Sequence, residues 1–489
     1  MLHPVDILVL IIYLAIAVWI GVRVGTTSQG LEGYLLGGRS LPWWAILGSI
    51  VATETSTATF LSVPGMPFQR DGDFGFLQLA VGYVIGRAVV VWLLLPAYFQ
   101  GKMLTAYEVL RSRYGPAVQK AASLMFLVAR NLGDGLRLFL AALVLKQVLG
   151  VSLEVCVLLV GAVTIVYTLL GGIKSVVWND CVQFVIYIAG ALVALVLLAR
   201  QLPDGWTTII EFGRTHGKFR MWHWQPDPTQ PYTFWAGLIG GAFLTLGTHG
   251  TDQMMVQRLL GAGSLRPASR ALLCSGVVVF LQFALFLFVG VSLACFYDIF
   301  PPNRPFATND AVFSRFIVEE LPAGWGLIGL ILAAVFAAAM STLSSSLNAS
   351  ASAVVGDFIK PFKGDRWTDR QYVNASRRWT LVFGVVQIGV AIVGGHVSKS
   401  VVNEALAIAG FTAGIMLGVF ALAMGFRRVH SVVGLVAMAS GALVLFAVHH
   451  ATEVAWPWWA AIGAVATLAS GQGFAKLAAT LGWDLTERY

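Results

Sequence analysis

Gly48-Ser49-Ile50-Val51-Ala52-Thr53-Glu54-Thr55-Ser56-Thr57-Ala58-Thr59-Phe60-Leu61-Ser62-Val63-Pro64-Gly65 follows an apolar entry, Leu41-Pro42-Trp43-Trp44-Ala45-Ile46-Leu47. Positions 53–59 hold five hydroxyl residues and one glutamate. Hydrocarbon penalises polar groups, so such a run at mid-membrane depth must face a cavity, an ion or another helix. Ser and Thr side chains also compete for backbone groups and weaken a continuous helix. One reading is a helix that comes apart at the bilayer centre and exposes carbonyl oxygens, which are ligands for a small hard cation. The other is a hydroxyl-lined contact between helices.

A membrane setting follows from composition. Of 489 residues, 57% are hydrophobic and only 11% charged, with a mean hydropathy of +0.78. Soluble domains carry about 25% charged residues. The formal net charge of +8 is spread over many short loops rather than clustered, which argues against nucleic acid as a partner. Cys156, Cys181, Cys274 and Cys295 lie in or beside apolar runs without metal-site or disulfide spacing, so they read as free thiols.

Thirteen apolar runs reach the length of a bilayer span, about 20 residues. They fall at roughly 5–24, 42–65, 75–99, 121–149, 152–171, 177–199, 232–256, 271–297, 323–356, 379–396, 404–426, 431–450 and 457–480. The first lacks a basic n-region and a small-residue cleavage site, and is expected to be retained. With the N-terminus outside, the inner loops hold twenty Lys/Arg residues, Arg258 among them, and the outer loops nine. That asymmetry predicts N-out, C-in. Residues 105–114 have amphipathic helical periodicity and are expected to lie along the inner interface.

Further polar residues fall inside these spans. Arg130, Asp134 and Arg137, at spacings of four and three, share one helix face. They read either as an internal ion pair with one positive charge to spare, or as a dock for a carboxylate on a planar arginine fork. Tyr167…Gly171-Gly172…Asp180…Gln183 predicts a tight inner turn at the glycines and a buried carboxylate that needs a cation, a proton or an arginine. Thr245-Leu246-Gly247-Thr248-His249-Gly250-Thr251-Asp252 predicts a second broken helix at Thr248-His249, where His249 either bonds a neighbouring helix or contacts a solute. Ala338, Ser341, Thr342 and Ser345 form a stripe, with Ser344 beside it, richer in hydroxyls than packing needs. Gly410 and Gly414 punctuate the eleventh span. HExxH and phosphate-loop motifs are absent, so an enzyme is not expected.

Two interrupted, hydroxyl-rich helices five spans apart are what an inverted-repeat transporter predicts. Gly37-Gly38-Arg39-Ser40-Leu41-Pro42, Tyr167…Gly171-Gly172…Asp180…Gln183, Asp252-Gln253…Gln257-Arg258 and Ala338…Ser341-Thr342 together resemble the sodium/solute symporter family, over about residues 4–480. The resemblance implies an all-α polytopic protein with the LeuT-like 5+5 fold. The inverted repeats would lie at about 42–199 and 232–426, with peripheral helices in 1–41 and 427–489. It implies Na⁺ coupling, with a first ion held by the carbonyls of Ala52, Thr55 and Ala338 and the hydroxyls of Ser341 and Thr342. A second ion, found in some members, would use Asp180 with Ser344, Ser345 and Ser341. Glu54, Ser56, Thr57, Arg130, Asp134, Arg137, Thr245, Thr248 and His249 would line the solute site.

Glu54 replaces the Asn of sugar carriers and the Asp of proline carriers, and Thr248 replaces a tyrosine gate, so the resemblance does not favour a sugar. The expected function is Na⁺-driven import of a small anionic solute by a multi-pass plasma-membrane protein that works as a monomer in the lipid bilayer. The alternatives are a neutral solute, or a membrane sensor on the same fold; the short stretch after the last run disfavours a fused sensor module.

Overall fold

The computed structural model describes residues 3–25, 30–101, 103–302, 304–306, 308–309, 311–321, 324–394, 401–425 and 430–481. Every regular element among them is helical. The main helices are α1 (Pro4–Gly25), α2 (Trp43–Glu54), α3 (Thr57–Phe68), α4 (Leu77–Val89), α5 (Pro116–Leu149), α6 (Leu153–Gln201) and α7 (Gly241–Gly250). They continue with α8 (Gln253–Leu260), α9 (Leu265–Ile299), α10 (Leu327–Ala353), α11 (Asp369–Gly394), α12 (Val401–Gly425), α13 (Ser431–Ala451) and α14 (Pro457–Thr480). Among the described residues, seven helices are long and apolar enough to cross a bilayer, and the bent pair α2–α3 makes an eighth candidate.

The hydroxyl run does break its helix. α2 and α3 are bent by 59° to one another, with Thr55 and Ser56 between them. Ser56 caps α3, its Oγ accepting from the Thr59 amide at 3.4 Å. α6 has 49 residues, more than twice the ~20 that span a hydrocarbon core, and is two helices run together. It kinks where the glycine pair predicts, at Gly172 (φ 58°, ψ −151°). A Cβ there would lie 2.4 Å from the Tyr34 carbonyl oxygen, so a side chain is excluded by space as well as by φ.

The second break sits elsewhere than expected. α7 runs through Thr248 and His249 without interruption, and the chain leaves the helix at Thr251–Asp252. Asp252 caps α8, its Oδ1 accepting from the Met254 amide at 2.8 Å. The flanking glycines serve packing instead: a Cβ on Gly247 would lie 2.6 Å from Ala413, and one on Gly250 2.3 Å from Leu94. Gly410 and Gly414 likewise leave α12 unbroken. Of the expected amphipathic segment 105–114, Glu108–Tyr114 is helical.

α10 is the centre of the molecule. Every residue from Ile331 to Ala353 is buried, and the helix packs against α6, α1, α5, α11, α8 and α2. A helix wrapped on all sides can present hydroxyls only to other protein groups, a cavity or an ion.

Candidate ion and solute sites

At the α2–α3 break the backbone changes partners. The Thr55 amide still bonds Val51 O (3.1 Å), but the Ser56 amide turns to Glu54 O (3.1 Å) and the Thr59 amide to Ser56 Oγ. The carbonyls of Ala52 and Thr55 thereby lose their helical i+4 donors. Across from them, Thr342 Oγ1 donates to Thr53 O (3.1 Å) and lies 3.4 Å from Ala338 O. Ser341 Oγ donates to Asp180 Oδ1 (2.6 Å). Ala52, Thr55, Ala338, Ser341 and Thr342 are all buried, and none takes a hydrogen bond from a basic side chain. The Thr55 hydroxyl is engaged by Val51 O, Tyr187 and Gln282, which leaves its carbonyl as the group free for an ion. An uncharged set of buried oxygens, none of them bonded to a basic side chain, suits a small hard cation that must also leave.

Asp180 has a partner that spacing did not suggest. It is fully buried and lies 3.4 Å from the Arg258 guanidinium, rather than against Arg130 or Arg137. Ser49, Thr53 and Ser341 donate to its two oxygens. Arg258, counted from sequence as an inner-loop charge, is itself 0% exposed.

Most of the residues expected at the solute site gather around a cavity of about 150 Å³. Thr53, Glu54, Ser56, Thr59, Ser62, Arg130, Arg137, Thr245, Thr248 and His249 line it, with Phe76, Tyr83, Phe283 and Trp456 as apolar walls. Thr57 is not part of this wall: its hydroxyl faces Val335 O at 3.4 Å. Asp134 lines a smaller space of about 30 Å³ that shares Arg130, Arg137 and Thr248 with the main cavity. The expected surplus positive charge is cancelled. Arg137 pairs with Asp134 (2.5 Å), while Arg130 pairs with Asp252 and lies 3.9 Å from Asp134.

Arg87 is the residue the sequence reading missed. It is fully buried on α4, pairs with Glu54 and lies 3.3 Å from His249 Nε2. The other ring nitrogen of His249 meets Thr248 Oγ1 at 3.0 Å. A lone arginine within the apolar run 75–99 was signal enough, because an intramembrane charge is a functional candidate by default.

Ser62, Met66 and Phe76 connect this cavity to a vestibule of about 830 Å³ bordered by Asp71, Asp73 and His223. There His223 meets Asp73 at 2.7 Å. Lys218 donates to the carbonyls of Gln69 and Arg70, and burial pushes its ammonium below the usual lysine value.

A sequence model of the sodium:solute symporter family matches residues 34–441. The chain belongs to that family. It is 29% identical to the human sodium/iodide cotransporter over 86% of this chain and 65% of that protein. It is 30% identical to a putative sodium-dependent multivitamin transporter of Drosophila melanogaster, over 86% of this chain and 70% of that protein. It is 28% identical to human sodium-coupled monocarboxylate transporter 1, over 85% and 68% respectively. The chain thus spans about two thirds of the length of these relatives.

Among solved structures, a Na⁺-coupled sialic acid symporter in a substrate-bound outward-open state superposes with a TM-score of 0.87 at 25% identity, covering 97% of this chain and 98% of that one. A nucleobase-cation-symport-1 family transporter shares the fold at a TM-score of 0.58 and 14% identity, covering 94% and 97%. Sodium is the family's coupling ion, and the relatives named here are carriers rather than enzymes, as the motifs implied.

Proposed function

We propose that this protein is a Na⁺-coupled importer of a small solute bearing a carboxylate or other anionic group, working by alternating access in the plasma membrane. The observation that carries the solute class is Arg137. One of its nitrogens is held by Asp134, and the rest of its fork has no protein partner among the described residues while the side chain lines both cavities. A partly engaged guanidinium beside hydroxyls suits a carboxylate. The cavity volume, about 150 Å³, equals that of an engineered protein cavity known to admit benzene, which points to a compact solute. The names of the iodide and monocarboxylate relatives are in line with an anion.

Na⁺ would bind at Ala52, Thr55, Ala338, Ser341 and Thr342. The topology we favour has thirteen spans, the N-terminus and the vestibule outside, and inverted repeats at 42–199 and 232–426 in a monomer. One observation favours a second reading, a neutral solute such as an amino acid: the Arg130–Asp252, Arg137–Asp134 and Arg87–Glu54 pairs leave the cavity walls with no net formal charge.

Uptake of radiolabelled monocarboxylates and neutral amino acids into proteoliposomes, with and without an inward Na⁺ gradient, separates the readings. Amino-acid uptake without carboxylate uptake would refute the anionic solute. Uptake indifferent to the gradient would refute the coupling.

A further inference from the structure

Resemblance assigns Asp180, Ser344 and Ser345 to a second sodium ion in some relatives, and here those side chains are already committed. Arg258 Nε donates to Ser49 Oγ at 2.7 Å, Nη2 to Thr53 Oγ1 at 2.6 Å and to Ser345 Oγ, and Nη1 to the Met254 carbonyl. Its Nη2 lies 3.4 Å from Asp180 Oδ2, and the two side chains are 1% and 0% exposed. Ser344 turns instead to Ser341 O at 3.1 Å. Two of the three groups that would ligate an ion, Asp180 and Ser345, are therefore already accepting from a guanidinium.

We propose that Arg258 is the resident cation of this site, a tethered substitute for a second Na⁺, so that the carrier binds one Na⁺ per chain. This rests on the sodium-coupled reading above. Asp180 and Arg258 together are neutral. A sodium ion added between them would place a second cation on one carboxylate, and Asp252, the next acid within reach of Arg258, is already paired with Arg130. In a fully buried site neither the repulsion nor the uncompensated charge is screened by water. A single site then remains whose oxygens take no hydrogen bond from a basic side chain, the one at the α2–α3 break.

The test is equilibrium ²²Na⁺ binding to the purified full chain in nanodiscs, which needs no knowledge of the solute. The wild type should bind one ion per chain with hyperbolic saturation. Arg258→Gln, which removes the charge, should bind two with sigmoidal saturation, and Asp180→Asn/Arg258→Gln should return to one. Two ions in the wild type overturn the proposal whether or not the variants fold. A folded Arg258→Gln that still binds one ion overturns it as well, because something other than the guanidinium then excludes the second. No binding at all would overturn both the proposal and the sodium-site assignment beneath it.

Discussion

Thr342→Val removes one oxygen from the proposed first ion site and keeps the shape of the side chain. Thr and Val are both β-branched and nearly isosteric, so the helix and its packing are retained. What disappears is a hydroxyl that donates to Thr53 O at 3.1 Å, lies 3.4 Å from Ala338 O and would offer its lone pair to the ion. An interaction with a charged partner is worth ~1.5–3 kcal/mol. Losing it from a set of five should weaken Na⁺ by roughly 10–150-fold, at 1.4 kcal/mol per decade. The Thr53 carbonyl also loses its donor, a stability cost of ~1 kcal/mol that leaves the fold intact. Thr342→Ser, which keeps the oxygen, is the control and should stay within a few-fold of wild type. The assay is ²²Na⁺ displacement on purified protein, with the Na⁺ half-saturation of uptake as a second reading. A folded Thr342→Val protein with unchanged Na⁺ affinity would show that α10 does not contribute this ligand and that the site lies elsewhere.

Other substitutions probe the cavity and the fold. Arg137→Gln should raise the solute half-saturation by about tenfold or more through loss of a charge-assisted hydrogen bond, while ²²Na⁺ binding in the absence of solute stays at the wild-type level. Adding Asp134→Asn, so that a buried carboxylate does not lose its nearer partner, should restore thermal stability but not uptake; recovery of uptake in the double variant would make the pair structural. Glu54→Gln leaves Arg87 buried without its counter-charge, at a cost of ~3–5 kcal/mol. Thermal unfolding in detergent should show that loss, and Glu54→Gln/Arg87→Gln should recover most of it; an unchanged melting temperature in the single variant would contradict the pairing. Gly172→Ala sets a Cβ against the Tyr34 carbonyl at a positive φ and should collapse the yield of folded protein by fluorescence size exclusion. A normal yield would mean that the kink has another geometry.

Local features were legible and distant pairings were not. The hydroxyl run at 53–59 announces a broken helix because competition for backbone groups is a property of those side chains themselves. The glycine pair at 171–172 announces a kink for the same kind of reason, since φ 58° combined with ψ −151° is a region essentially only Gly enters. The glycines around Thr248-His249 carried an ambiguous signal. Gly permits a break, but it equally permits helices to touch, and there the close approaches of Ala413 and Leu94 claimed them.

Charge pairing shows the limit most clearly. Spacing along one helix suggested Arg130 with Asp134, and that pair forms at 3.9 Å, yet the closer partner of Arg130 is Asp252, more than a hundred residues away in sequence. Arg258 looked like a solvated inner charge because it falls just after the apolar run 232–256, and the fold turns that end of α8 inward onto Ser49, Thr53, Asp180 and Ser345. A buried arginine and a loop arginine are the same letter in the same local context. What distinguishes them is whether a carboxylate waits at the matching depth on another helix. Asp180 was recognised as a carboxylate in need of a partner, and the arginine that answers it was already in view. Only the packing of α8 against α2 and α10 joins the two, and with them joined the site that looked open to a second sodium ion is filled from within the chain.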